Sequence, residues 1–267
     1  MKKILAMILV LTTVVCTIFT VFTMTSCAKD DNTLVCGVTI FKNMNEQKDG
    51  VWTGFEVEFA QEVGKILGMD VKFQIIDWSQ KYNELNSGAI DCIWNGFTAN
   101  SSDNGIKRSD LVDFSYGYMI NYQCVVVRAD KLDALKTKES LKGKKACVEG
   151  GSAGETYAKT LTGDANIMTA QSQLKAFPEV KSGAADFAVV DILLAREICG
   201  QGDNKDLVIV DSIELEREIY AIGFKKGSKL TEKVNKAIKQ LEENGKLLEI
   251  AKKYQLEDFL EIREKIN

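Results

Sequence analysis

The octad at residues 84–91, Glu-Leu-Asn-Ser-Gly-Ala-Ile-Asp, has a counterpart at residues 179–186, Glu-Val-Lys-Ser-Gly-Ala-Ala-Asp. The two octads share five of eight positions, and each combines a helix end, a Gly that caps it and the start of an apolar strand. Chance similarity is the alternative explanation, because Ser-Gly is a common sequence after helices. The repeat favours a protein with two halves of similar construction.

Strand and helix patterns alternate around the first octad, which is typical of a parallel sheet with crossover helices. From Gly54 the apolar residues recur at helical spacing, and Gly68 follows as a left-handed cap. The other predicted elements of this half are strands at 34–39, 71–75 and 90–94, a polar loop at 41–52, and a short helix closed by Gly88.

The same alternation restarts in the second half of the chain. It predicts strands at 145–149, 167–169 and 185–190, and helices at 153–161 and 172–182. Pro178 should kink the second of these helices or begin a shorter one. Two packing helices follow from Leu230, with a break at Asn244-Gly245. The sequence therefore predicts an α/β fold of two lobes, each an open, mostly parallel sheet flanked by helices.

Polar residues follow matching strands of the two predicted halves. Asn95 and Gly96 come after the strand at 90–94, and Asp191 comes after the strand at 185–190. Ligands of open α/β sheets bind beyond the carboxyl ends of the strands, so these residues are candidates for a binding site.

Composition excludes several classes of function. The 267 residues are 45% apolar and 27% charged, which is ordinary for a globular protein, and the net charge is -4. Because there is no overall basic field, we expect no nucleic-acid partner. The chain has no histidine, and no cysteine spacing is typical of metal binding, so we predict no metal site.

The first residues resemble a secretion signal. Lys2 and Lys3 precede an almost uncharged stretch that ends at Cys27. Residues 24–27, Met-Thr-Ser-Cys, resemble a bacterial lipobox, which implies a signal peptide at 1–26, a lipid on Cys27 and a tether at 27–32. The alternative is an uncleaved membrane anchor with an incidental cysteine. Either way we expect the folded part on the extracellular face of the cell membrane, or in the periplasm if there is an outer membrane.

Five further cysteines lie among apolar neighbours at 36, 92, 124, 147 and 199. An odd number leaves at least one of them unpaired within the chain. Disulfides are permitted outside the cytoplasm, but small buried thiols explain the set equally well, so their state stays open.

The segment Gly150-Gly-Ser-Ala-Gly154 fits the G-x-S-x-G pattern of a hydrolase nucleophile between a predicted strand and helix. A triad serine needs a base, usually histidine, and this chain has none. Ser152 and Glu155 instead have the spacing of a capping box, and the first-turn amides behind them form a natural anion site. A Ser-Lys pair would not need histidine, but the spacing assigns no lysine to that role. We therefore predict no catalytic residue here.

Six segments in order resemble family 3 of the extracellular solute-binding proteins of polar amino-acid ABC importers, across essentially the whole exported part of the chain. In the first half they are Gly54–Glu58 (GFEVE), Asp91–Thr98 (DCIWNGFT) and Arg108–Ser115 (RSDLVDFS). In the second half they are Leu141–Lys145 (LKGKK), Val148–Glu155 (VEGGSAGE) and Ala188–Asp191 (AVVD). No single segment is specific, and the indication comes from their joint order.

The resemblance implies a site for the backbone groups of an amino acid. Arg108 would bind the α-carboxylate through two parallel N–H bonds. The hydroxyl groups of Thr98 and Ser152 and the amide of Ala153 would assist it.

The α-ammonium would contact Asp191 and main-chain carbonyls near Asn95 and Gly96. Phe41 and Trp78 match positions where apolar or aromatic side chains cover the ligand.

Three departures from the family pattern bear on this site. Residues 99–107 form a longer segment than usual before Arg108, and the extra residues either move Arg108 or bulge outward. Phe41-Lys-Asn-Met44 replaces a proline-containing stretch, so Phe41 matches the family's aromatic position without the residues that usually follow it. Ala153 replaces a common threonine and removes one hydroxyl from the carboxylate site.

The resemblance further implies that lobe 1 comprises residues 33–120 and 224–267 and that lobe 2 comprises residues 121–223. It implies a monomer without a cofactor that binds an amino acid between the lobes and delivers it to the permease of an ABC importer. Two alternatives use the same fold: an exported dehydratase-like enzyme acting on a small carboxylic acid, and a ligand sensor for a membrane kinase.

Overall fold

The computed structural model describes residues 32–266, so the predicted signal peptide and Cys27 lie outside the described residues. The helices are α1 Phe55–Leu67, α2 Lys81–Ser87, α3 Arg108–Leu111, α4 Ala153–Thr162, α5 Gln173–Ser182, α6 Ile192–Ile198, α7 Leu230–Glu243 and α8 Lys246–Lys253. The strands are β1 Thr33–Val38, β2 Glu46–Lys48, β3 Val51–Thr53, β4 Asp70–Ile75, β5 Cys92–Ile93, β6 Ser102–Asp103, β7 Ile106–Lys107, β8 Asp113–Arg128, β9 Ala146–Glu149, β10 Ile167–Ala170, β11 Phe187–Asp191, β12 Leu207–Ile209, β13 Arg217–Phe224 and β14 Leu260–Arg263.

The main strands follow one another in the order β10-β9-β11-β8-β13-β5-β1-β4. At one end β1 is parallel to β4 and β5, and at the other end β9 is parallel to β10 and β11. The long strand β8 joins the two parallel groups, because it pairs with β13 up to Tyr122 and with β11 from Gln123 onward, both antiparallel. This is the predicted two-lobed α/β fold, whereas the lobe boundaries at 121 and 224 stay predictions.

Helix α1 shows how the sequence stabilises the first lobe. Its apolar face buries Phe55 and Phe59, whose rings pack against Tyr118, and Phe59 also meets Trp94 edge to face at 5.0 Å. Burying a side chain of this size contributes about 1.5–3 kcal/mol relative to leaving it in water. The helix therefore packs against Trp94, in the segment that follows β5.

The two octads form equivalent structures, as the repeat predicted. Gly88 follows α2 with φ of 80°, and Gly183 follows α5 with φ of 79°. Only glycine adopts this left-handed conformation at little cost, and it ends each helix so that the chain can enter β5 or β11. The repeat thereby places Asn95 and Asp191 just beyond or at the ends of corresponding strands.

One local expectation was wrong, and one of the two alternatives at Pro178 is excluded. The predicted polar loop at 41–52 contains β2 and most of β3, which pair as an antiparallel hairpin. Helix α5 continues on both sides of Pro178, so a shorter helix does not begin there.

Among the described residues, Cys36, Cys124 and Cys147 are buried free thiols and Cys199 is a half-buried free thiol. Cys92 is buried, with its Sγ 3.7 Å from that of Cys36. Between residues 32 and 266, no helix combines the length and apolar character needed to cross a membrane. The same residues contain no group of acidic, histidine or cysteine side chains arranged to hold a metal ion.

Candidate functional site

Residues from both lobes enclose one small cavity. It has a volume of about 10 Å³, which is about the minimum needed to hold one water molecule. Eight of the nine predicted ligand contacts line it: Trp78, Asn95, Gly96, Thr98, Arg108, Ser152, Ala153 and Asp191. An amino acid needs more room than this, so ligand entry requires the two walls to move apart.

The lobe 1 wall is built on the segment that follows β5. The buried carboxylate of Glu56 accepts a hydrogen bond of 2.7 Å from the amide of Gly96 and others from the side chains of Asn45 and Tyr118. Asn95 is fixed by Thr39, whose amide donates to Asn95 Oδ1 at 2.8 Å and whose hydroxyl accepts from Asn95 Nδ2 at 2.8 Å. These contacts hold the wall in one shape from behind.

Position 96 requires glycine for two reasons, the close packing around it and its left-handed backbone conformation. Its φ is 53°, and a Cβ at this position would lie 3.0 Å from the Tyr220 ring and 3.3 Å from the Phe41 ring. Phe41 is thus in contact with the wall, but it is the one predicted ligand contact that does not line the cavity. Its ring supports Gly96 in this conformation of the protein.

Arg108 begins α3 and is only 1% exposed. Its Nη1 donates to the carbonyl of Thr98 at 3.1 Å, and its Nη2 reaches across the cleft to the carbonyl of Gly151 at 3.3 Å. The guanidinium also lies 5.1 Å from the centre of the Phe97 ring, a favourable position for a cation. Arg108 therefore points into the interface between the lobes.

Asp103 is a partner of Arg108 that the sequence did not reveal. Its Oδ1 accepts from Nε and Nη2 of Arg108 at 3.0 and 2.9 Å, and its Oδ2 lies 3.4 Å from Nζ of Lys81. Burial alone would raise the pKa of Asp103, but the two cations beside it outweigh burial and hold that pKa below its ordinary value. Asp103 is therefore a carboxylate that orients both cations.

The longer segment at 99–107 thus neither removes Arg108 from the cavity nor bulges out freely. Its residues form the hairpin of β6 and β7, and this hairpin delivers Asp103 to Arg108. Thr156 of the other lobe donates to the carbonyl of Ser102 at 3.4 Å, so the hairpin also contacts the opposite wall.

Lys81 is the second buried cation, 2% exposed at the start of α2. Its Nζ donates to the carbonyl of Gly151 at 2.9 Å and lies over the rings of Trp78 and Tyr82 at 5.1 and 4.7 Å. Burial, and then the nearby Arg108, lower the pKa of Lys81 to about 8. Nothing in the local sequence marks this lysine, because only the folded chain brings it to the cleft.

The lobe 2 wall presents the start of α4. Ser152 caps the helix, with its hydroxyl accepting from the amide of Glu155 at 3.1 Å. The carboxylate of Glu155 accepts from the amide of Gly151 at 2.6 Å, one residue before the partner that a regular capping box would use. Ser152 and Ala153 line the cavity.

Asp191 lies on the same wall, at the end of β11, and is 4% exposed. Its Oδ1 accepts from Asn121 at 2.7 Å and from Gln123, and its Oδ2 accepts from Gln173. The amides of Asn121 and Gln123 also donate to Glu218, so two carboxyl groups share these donors. Burial raises the pKa of Asp191, and burial followed by the charge of Asp191 raises that of Glu218 to about 7.

The prediction from the sequence did not include three residues that line the cavity: Gln123, Glu149 and Gln173. Glu149 occupies the last position of β9, and a search of strand ends for polar residues would have found it. Gln123 and Gln173 lie within β8 and at the start of α5, where local sequence gives no such signal.

The buried carboxyl groups predict an unusual pH dependence of stability. Burial raises the pKa of Glu56 to about 7 and that of Glu149 to about 8, beside the raised values of Asp191 and Glu218. The folded chain consequently binds more protons than the unfolded chain at pH values between the ordinary and the raised pKa. Each pKa unit of difference corresponds to about 1.4 kcal/mol.

We expect the free energy of unfolding of the ligand-free protein to be higher at about pH 5 than at about pH 8, because the stabilisation is lost as pH rises through the folded-state pKa values. Urea denaturation at both pH values measures it. Glu218→Gln should flatten the dependence, whereas the exposed Glu216→Gln should not. A free energy that increases from about pH 5 to about pH 8 would contradict this prediction.

Comparison with known proteins gives matches that cover most of the chain and point to one family. The profile of the family described as bacterial extracellular solute-binding proteins, family 3, matches residues 35–257. The arginine-binding extracellular protein ArtP of Bacillus subtilis is 28% identical over 243 residues, covering 87% of this chain and 92% of that protein.

Two solved structures are similar along most of their length. An ancestral arginine-binding protein bound to arginine has a TM-score of 0.76 and 32% identity, covering 84% of this chain and 98% of that chain. The ancestral amino acid-binding protein AncCDT-1, a precursor of cyclohexadienyl dehydratase, has a TM-score of 0.74 and 30% identity, covering 84% and 95%.

Proposed function

Because this chain belongs to family 3 of the bacterial extracellular solute-binding proteins, we propose that it binds an amino acid between its lobes and delivers it to the permease of an ABC importer. The observation that carries the proposal is the cavity with Arg108 on the lobe 1 wall and Asp191 on the lobe 2 wall. An amino acid carries the complementary pair of charges. It can therefore bridge the two walls.

In this proposal the guanidinium of Arg108 binds the α-carboxylate, assisted by Thr98 and by the start of α4 at Ser152 and Ala153. Asp191 binds the α-ammonium. Removing a charge from water is costly unless it is paired, so the site favours a ligand that pairs with both walls at once.

Such a ligand also explains closure. Between the lobes, Gly151 accepts from Lys81 and Arg108, Thr156 contacts Ser102, and Lys42 contacts Glu197. These direct contacts are few, and a ligand that touches both walls stabilises the closed state more than the open one. A permease can then distinguish the closed, loaded protein from the open one.

Cellular placement is part of the proposal. Lipid on Cys27 would tether the protein to the outer face of the cell membrane, where it would collect the amino acid for the importer. We propose that it acts as a monomer and catalyses no reaction. AncCDT-1, an amino acid-binding protein that is a precursor of a dehydratase, is the reason to test turnover directly.

The proposal predicts that an amino acid raises the melting temperature of the purified protein. A ligand at about 100 times its Kd stabilises the folded state by about 2.7 kcal/mol. A thermal-shift screen of the proteinogenic amino acids, ornithine and cystine, followed by calorimetric titration, identifies the ligand. Prolonged incubation with that ligand should return it unchanged.

Failure of every amino acid to bind in titration would contradict the proposed function. Recovery of a dehydrated product would contradict the absence of catalysis, and the two results are separable because the first concerns binding and the second concerns the fate of a bound ligand.

A further inference from the structure

Glu149 has no role in holding the backbone groups of an amino acid. It is 3% exposed and lines the cavity. The backbone N–H of Gln173 donates to its carboxylate, but Oε1 of Glu149 has no hydrogen-bond partner in the described part of the chain. A buried carboxylate oxygen without a partner is costly, so this oxygen is suited to a ligand group that donates hydrogen bonds.

The charges of the cavity point to the same ligand group. The ionisable residues that line it are Arg108, Glu149 and Asp191, which sum to -1 when all are ionised. The neighbouring Lys81 and Asp103 pair with each other and contribute no net charge. A zwitterion adds no net charge, so it leaves the carboxylate of Glu149 uncompensated, whereas an amino acid with a cationic side chain neutralises it.

A second unpartnered oxygen in the lining is also an acceptor. The amide nitrogen of Gln123 donates to Asp191 and Glu218, which leaves Oε1 of Gln123 without a donor. Both unpartnered oxygens thus lack a donor, and an ammonium or guanidinium supplies donors only.

We propose that Glu149 binds the cationic side chain of a dibasic amino acid, while Asp191 binds its α-ammonium. This inference rests on the proposed function and narrows it to amino acids with an amine or guanidinium on the side chain. Two separate carboxylates for two separate cations also account for the excess of acid on the lobe 2 wall.

The ionisable groups around Glu149 agree with this assignment. Asp191 and Asp77 disfavour its ionised form, and Lys81 favours it. Burial is the largest influence and raises the pKa of Glu149 to about 8 in the absence of ligand. A cationic side chain placed beside Glu149 would lower that pKa and ionise it, which a neutral side chain cannot do.

The test compares each cationic ligand with a neutral analogue of similar side-chain shape. Calorimetric titration of the wild-type protein with L-arginine and L-citrulline, and with L-lysine and L-norleucine, measures the preference for the cation. In at least one pair, we expect the cationic ligand to bind at least about 30-fold more tightly than its neutral analogue, because an unpaired buried charge typically costs at least this factor in affinity. Glu149→Gln should reduce that preference several-fold.

The exposed Glu139→Gln removes the same charge from the same lobe and should leave the preference unchanged. Equal affinities within both pairs for the wild-type protein would overturn the inference, whether or not the variant folds. A preference that survives in a folded Glu149→Gln protein would overturn it too. Tight binding of a neutral amino acid with no preference would leave the proposed function intact, whereas binding of no amino acid would overturn both.

Discussion

Replacing Arg108 with alanine is expected to weaken amino-acid binding by about 100-fold or more, because the ligand carboxylate loses its charged partner in a buried site. The side chain is almost fully buried and reaches Gly151 across the cleft, so it acts where the lobes meet. Calorimetric titration with the ligand identified by the thermal-shift screen measures the change.

The effect on stability should be smaller than the effect on binding. Removing one partner of a buried ion pair is destabilising when it leaves the other charge alone. Here Asp103 keeps Lys81 at 3.4 Å and the hydroxyl of Tyr82, so it is not left without partners. The half-buried Arg128→Ala, whose partner is the exposed Asp130, is the control. Equal affinity in the wild type and Arg108→Ala would remove Arg108 from the site.

Replacing Asp191 with asparagine is expected to have a comparable effect, about 100-fold or more, with almost no change in side-chain shape. The carboxylate accepts hydrogen bonds from Asn121, Gln123 and Gln173, which hold it in place and stabilise its charge. The side-chain NH2 group of an asparagine at this position would face at least one of these N–H donors and could not accept its hydrogen bond. The asparagine also carries no charge to attract the α-ammonium.

Asp211→Asn removes the same charge from an exposed position of the same half of the chain, and its affinity should match that of the wild type. The decisive comparison uses variants with similar melting temperatures. Wild-type affinity in a folded Asp191→Asn protein would show that the ammonium does not bind there.

The sequence predicted most of the cavity because its lining follows a general rule of open α/β sheets. Asn95, Gly96 and Asp191 lie at strand ends, and strand ends can be found from apolar runs and glycine caps. Arg108 and Trp78 required the resemblance to a family, since neither lies in a pattern that local physics makes distinctive.

The partners of these residues could not be predicted from local sequence. Asp103 and Lys81 meet Arg108 only because the β6–β7 hairpin folds back against α2. Ionic contacts between distant segments depend on the three-dimensional arrangement, whereas periodicity reports only which face of an element is buried. The proximity of Asp191 and Glu218 could not be predicted for the same reason, because side-chain amides from β8 bring the two carboxyl groups together.

The long strand β8 was missed for a different reason. Its first half mixes aromatic, Gly and polar residues, and in its second half only residues 124–127 form a continuous apolar run. The two halves pair with different partners, so neither one pattern nor one period describes the element. A strand that serves both parallel groups therefore does not have the simple alternation of a strand in one half-buried sheet.

The account depends on one amino acid that touches both walls of the cleft at once. A crystal structure of the protein with the amino acid that most raises its melting temperature tests this most directly. We expect the α-carboxylate within hydrogen-bonding distance of the Arg108 guanidinium and the α-ammonium within hydrogen-bonding distance of the Asp191 carboxylate. A ligand bound outside this cleft, or in contact with one wall only in a closed protein, would contradict the account.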